Sequence, residues 1–126
     1  MSFDPIKPLR ILALDNTPQK LLGASGTLEL ALFDNPNEAT VYLQVFDGEG
    51  VPTVGTDKPA FFIAIPPGGG GLQPTNRMGI HFRHGLAIAC TTTPEGNTAP
   101  ATAINGTLGV DSQWALANIN TPSVIQ

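Results

Sequence analysis

Two short runs of this chain place apolar side chains at every second position, a period that a helix cannot use to build one apolar face. Thr27-Leu28-Glu29-Leu30-Ala31-Leu32-Phe33 sets Leu28, Leu30 and Leu32 together, and Thr40-Val41-Tyr42-Leu43-Gln44-Val45-Phe46 sets Val41, Leu43 and Val45 together. Each run stops at a turn cluster, Asp34-Asn35-Pro36-Asn37 and Asp47-Gly48-Glu49-Gly50. The punctuation recurs along the chain. With 14 glycines and 12 prolines in 126 residues, there is room for short strands and turns but not for long helices.

The remaining segments extend this pattern. Leu9-Arg10-Ile11-Leu12-Ala13-Leu14 reads as a strand that ends at Asp15-Asn16-Thr17-Pro18. Phe61-Phe62-Ile63-Ala64-Ile65 is apolar on both faces, which predicts a central strand covered above and below, and Pro66 to Gly71 reads as a flexible hairpin loop. Met78 to Arg83 alternates again, with Ile80 and Phe82 inward and His81 and Arg83 outward. Gly85 then marks a bulge or tight turn before Leu86 to Thr91. Asn105-Gly106 is a turn signal ahead of Thr107 to Asp111. That run leads to Trp114 to Ile119, a closing strand in preference to a helical turn over Ser112 to Asn118. The sum is an all-β domain of seven to eight short strands, an antiparallel β-sandwich or jelly-roll-like fold. It spans residues 9–120, between an extended N-terminal arm at 1–8 and a C-terminal tail at 121–126. The two ends are either frayed or ordered against neighbouring subunits.

Charge narrows the possible partners. Charged residues make up 13% of the chain, about half the usual ~25%, so burial against another protein surface costs little desolvation. Hydrophobic residues at 41% argue against disorder. Six basic and ten acidic residues, net −4, lack the clustered Lys and Arg that phosphate binding wants, so no direct contact with nucleic acid is expected. No run approaches the ~20 apolar residues that span a bilayer, and the start of the sequence does not read as a secretory signal. The expectation is a protein made in the cytoplasm, with no membrane partner.

Candidate chemistry fails on spacing or context. His81 and His84 are three apart, so in a strand their imidazoles diverge, and no cysteine or carboxylate lies near in sequence to complete a metal shell. With Arg77 and Arg83 they form the densest basic stretch, which is either a solvated strand face or a surface for an acidic partner. The glycines at 68–71 lack the lysine and helix of a phosphate loop. Gly23-Ala24-Ser25-Gly26 is one residue short of a nucleophile elbow. Cys90, the single cysteine, sits in an apolar run and reads as a buried, inert thiol. Asn105-Gly106-Thr107 matches a glycosylation acceptor that should stay unmodified without a secretory signal. No enzyme, cofactor or metal is expected. Interface residues are expected instead at Phe3, Ile6, Arg77, His81, Arg83 and Ile125.

From Val41 to Val110 the order of features is more specific. Tyr42-Leu43-Gln44-Val45-Phe46 is followed by Pro52-Thr53-Val54-Gly55-Thr56-Asp57-Lys58-Pro59 and by Ile65-Pro66-Pro67-Gly68-Gly69. Gly79-Ile80-His81-Phe82 and Gly85-Leu86-Ala87-Ile88-Ala89-Cys90-Thr91-Thr92 come next. This order resembles small β-sandwich virion proteins of tailed bacteriophages, over a little more than half the chain. The residues themselves predict an ordered loop shaped by Gly55 and its flanking prolines and core positions at Phe82 and Ile88, and the resemblance carries over no catalytic residue. It implies a structural role in the virion, with capsid decoration (cement) as the leading expectation. The partners would then be the major capsid protein or other virion proteins, and the chain would form a homo-oligomer, a trimer being the natural choice at three-fold positions. A tail, neck or baseplate subunit is the alternative, and a carbohydrate-binding or adhesion module using Tyr42 and Trp114 is a further one.

Overall fold

The computed structural model describes residues 7–72 and 79–111. Nine strands form two antiparallel sheets packed as a β-sandwich, with no helix among the described residues. In the first sheet β1 (Lys7–Leu14), β9 (Ile104–Asp111) and β3 (Gly26–Asp34) lie side by side, and β6 (Gly70–Leu72) and β7 (Ile80–Phe82) share the far side of β3. In the second the order is β2 (Gln19–Leu22), β8 (Leu86–Thr91), β4 (Val41–Phe46) and β5 (Phe61–Ile65). The seven expected strands that fall within the described residues are all present. β2 and β6 raise the count to nine, and the expected closing strand at Trp114 to Ile119 lies outside the described residues.

The core sits between the sheets. Leu43, Ile65, Leu86, Ile88, Cys90, Ile104, Leu108 and Val110 are fully buried there, with Ile11, Leu14, Leu28 and Phe82 beside them. Each large side chain sealed in this way contributes roughly 1.5–3 kcal/mol of transfer free energy. Phe82 and Ile88 fill the core as their apolar runs predict, and β8 is buried along its whole length.

Several local expectations are corrected. Leu28, Leu30 and Leu32 do not share a face. The pairing of β3 with β9 shifts register between Leu28 and Leu30, so Leu28, Ala31 and Phe33 point inward while Leu30 and Leu32 turn outward. One extra residue at Glu29 is enough, because strand side chains alternate with period two. Among the described residues Phe61–Ile65 is an edge strand, not a central one, and Phe62 is 46% exposed. β4 and β8 occupy the centre in its place.

Two glycine readings also change. Gly70 and Gly71 belong to β6 instead of a free loop, and a Cβ on Gly71 would overlap the Ala31 carbonyl across the ladder. Asn105-Gly106 lies inside β9, not in a turn. Gly106 is opposite Phe33, whose ring takes the space a side chain would need. Asn105 Oδ1 accepts a 2.8 Å hydrogen bond from the Ala13 N–H at the bulge in β1. Gly85 joins β7 in one sheet to β8 in the other, so it marks a crossover between sheets.

Candidate functional site

Over β8 and the adjoining part of β4, the outer face of the β2-β8-β4-β5 sheet is closed by its own loops. Gln44, Phe46, Ala87, Ala89 and Thr91 alternate with the core residues and so point away from the core, yet all are buried. Val54, from the loop between β4 and β5, packs on Phe46, Ala87 and Ala89. From the other side the loop between β8 and β9 is tied down by Gln44. Its Nε2 donates to Thr91 Oγ1 at 2.7 Å and to the Gly96 carbonyl at 2.9 Å, and Thr91 Oγ1 donates to the Thr93 carbonyl at 2.7 Å. Gln44 Oε1 has no hydrogen-bond partner among the described residues.

The segment Pro52 to Pro59 is an ordered turn, as Gly55 and its flanking prolines predict. The Thr53 N–H donates to Asp57 Oδ2 at 2.8 Å, and the Asp57 N–H returns to the Thr53 carbonyl at 2.8 Å. Its tip is pressed against the next loop, since a Cβ on Gly55 would fall 2.8 Å from Asn97 Cβ. Lys58 and Glu95 form a 3.8 Å ion pair across the same seam. Both side chains are exposed, and such pairs contribute less than about 1 kcal/mol. Val51, Thr53, Gly55, Thr56, Asp57 and Lys58 remain exposed on a backbone fixed from beneath.

Each end of the sandwich has its own polar clamp. At one, Asn35 is buried and donates to the carbonyls of Ile65 (2.9 Å) and Ala39 (3.1 Å), while its own carbonyl accepts the Gly68 N–H. Asn37 exchanges two hydrogen bonds with the Thr102 backbone. The two asparagines thereby join three loops beside a cleft of about 500 Å³ lined by Glu38, Thr40, Thr92 and Pro100 among others. At the other end Asp47 accepts the N–H groups of Arg83 (2.8 Å) and His84 (2.7 Å). Partial burial pushes its pKa up. The backbone donors of Arg83, His84 and Gly85, with the nearby His84 charge, outweigh that and hold it below the ordinary 3.8. The Lys20 ammonium donates to the carbonyls of Gly48 and Gly50 and pins the same loop to β2.

Of the six expected interface residues, His81 and Arg83 can be placed, and both side chains are exposed. His81 projects from β7 opposite Thr27, and Arg83 and His84 follow in the bend held by Asp47. Phe3, Ile6, Arg77 and Ile125 lie outside the described residues, as does Trp114. Cys90 is fully buried in β8, where burial first and the Asp15 charge second push its thiol up to about 12. Among the described residues no three His, Cys, Asp or Glu side chains gather as a metal site would need. No helix of the described residues is long and apolar enough to cross a membrane.

Sequence reasoning placed Asp47 at a turn but missed its clamp on the β7–β8 crossover, because the partners are backbone groups far along the chain. Gln44 gave a faint signal as a polar residue in an otherwise apolar stretch. Comparison with known protein families, curated proteins and solved structures finds no match to this chain.

Proposed function

We propose that this chain is a structural protein of a tailed-bacteriophage virion, a capsid decoration (cement) protein that binds and stabilises the assembled shell. One observation carries the reading. The residues of the virion-like motif, Pro52 to Pro59, form an exposed tip whose backbone is locked to the sheet below through Thr53–Asp57, Val54 and Asn97. A contact surface ordered before it binds loses little conformational entropy on docking. The low charge of the chain and the exposed Val51 beside the tip suit burial against a protein lattice. Binding the assembled shell and not its free subunits stabilises the shell by mass action. The partner is the major capsid protein, and a homotrimer matches three-fold positions on such a lattice.

The test is addition of purified protein to capsids that lack it. Saturable binding with a raised capsid melting temperature is expected. Absence of both rejects the capsid reading, and localisation of the chain to the tail, neck or baseplate of intact particles transfers the role there. The carbohydrate-binding alternative has less support. Of the two aromatics it would use, Tyr42 packs edge-on against Phe62, with ring centroids 5.9 Å apart at 77°, and Trp114 lies outside the described residues.

A further inference from the structure

Four connections between strands meet at one end of the sandwich, 15–18, 35–40, 66–69 and 92–103, and all four lie within the described residues. Together they hold Asp15, Glu38 and Glu95 and not one Lys, Arg or His. Asp34 closes β3 at the same end. Glu95 is paired with Lys58, whereas Asp15, Asp34 and Glu38 have no ion-pair partner among the described residues. The chain enters β1 at Lys7 and leaves β9 at Asp111 at the opposite end, and β6 runs away from this one towards Leu72.

The cleft of about 500 Å³ opens between two of these connections, 35–40 and 92–103. Its size is that of a ligand site. Val41 and Pro100 are buried and give it an apolar floor, Ala39 and Ala101 extend that lining, and Glu38 is its one charged residue among the described residues. The shape is set before any ligand arrives. Asn37 ties the two connections together through its two hydrogen bonds with Thr102, and Asn35, 2% exposed, holds the Ala39 carbonyl. The loop 92–103 also meets the exposed tip, through Asn97 at Gly55 and Glu95 at Lys58. One loop therefore joins the cleft to the tip.

We infer that this cleft takes a basic side chain, Lys or Arg, presented by a protein partner. An aliphatic stem that ends in a cation matches the lining: its methylenes bury against Val41 and Pro100, and its head stays wet beside Glu38. The carboxylates that share this end draw a cation to the cleft and turn an anion away. A wholly apolar ligand would strip water from Glu38 and offer it no partner. The inference rests on the proposed function only for the carrier of that side chain, the major capsid protein.

The experiment titrates the isotope-labelled full chain with the N-acetyl methylamides of lysine, arginine, norleucine and glutamate and follows its backbone amides by NMR. Saturable shifts of Asn37, Glu38, Ala39 and Thr102 are expected with lysine and arginine, at a dissociation constant of about 1–10 mM for ligands of this size. Norleucine keeps a stem without the charge and should bind about threefold more weakly, the scale of a solvent-exposed ion pair. Glutamate should not bind. Glu38→Gln should lower the lysine affinity to that of norleucine, leave norleucine binding unchanged and keep the wild-type far-UV spectrum. No saturable shift with either cation overturns the inference. So does norleucine that binds as tightly as lysine, or a Glu38→Gln variant that keeps the full lysine affinity. A chain that takes lysine in the cleft but fails to bind capsids loses the proposed function alone, and one that binds capsids but neither cation loses this inference alone.

Discussion

The two outer faces of this sandwich are built from the same kind of strand and end in different states. On β8 and the adjoining part of β4 the outward side chains are as buried as a core, because two loops fold over them and Gln44 ties one of those loops down, while Phe62 on β5 stays exposed. On the β1-β9-β3 sheet the bulge at Glu29 turns Leu30 and Leu32 outward, and Leu32 stays 39% exposed. Burial of an outward position is thus decided by the connections above it, not by the strand that carries it. Loops of a dozen residues or so can act as a third layer when they are hydrogen-bonded to the sheet.

The same charge placed on the two faces separates them most sharply. Ala89→Lys puts an ammonium under both loops and should lower stability by roughly 4 kcal/mol or more, through overpacking and an unpaired buried charge. Chemical denaturation measures it, and a loss under about 1 kcal/mol would mean that the loops lift freely. Gln44→Ala keeps the core but leaves the buried Thr91 hydroxyl and the Gly96 carbonyl without their donor. A loss of about 2 kcal/mol is expected, with limited proteolysis shifted to the segment 92–103.

Asp47→Asn tests the clamp at the end of the covered sheet. Its folded pKa lies below 3.8, so the ionised form stabilises the fold above that value, and the contribution fades as pH falls through the folded pKa. The variant should be about 1 kcal/mol less stable at neutral pH, and the gap between the two melting temperatures should close in acid. A gap that widens in acid would contradict the assignment. Leu32→Lys, on the bare face, should change the stability of the isolated chain by less than about 0.5 kcal/mol. A larger loss would reveal that this face is covered too.

The fold class was legible because alternation and turn clusters act locally. The inward sets on β4 and β7 followed directly from the residues. β3 did not, since Leu28, Leu30 and Leu32 look regular and nothing in that run announces a bulge whose cause is the pairing with β9. β5 misled because an apolar strand reads the same whether its second face is covered or left open. Gly106 looked like a turn because its reason for being glycine, the Phe33 ring, is more than seventy positions away. Of the candidate interface, sequence located the exposed His81 and Arg83, while the clamp that shapes their bend depends on Asp47, another long-range contact.

The pairing of β1 with β9 joins Lys7 to Val110, and that has a consequence in time. During synthesis the four strands of the β2-β8-β4-β5 sheet, and β3 with its partners β6 and β7 in the opposite sheet, have all been made once Thr91 is added, whereas β9, which joins β1 to β3, waits until Asp111. Pairings so distant along a chain form slowly. The nascent protein therefore spends its early life without the strand that brings Ile104, Leu108 and Val110 to the core, and the core facing that gap stays open to solvent until then. Premature contact between ribosome-bound copies would join edges before the domains are finished. For this chain, the order in which strands leave the ribosome bears on yield as much as the final contacts do.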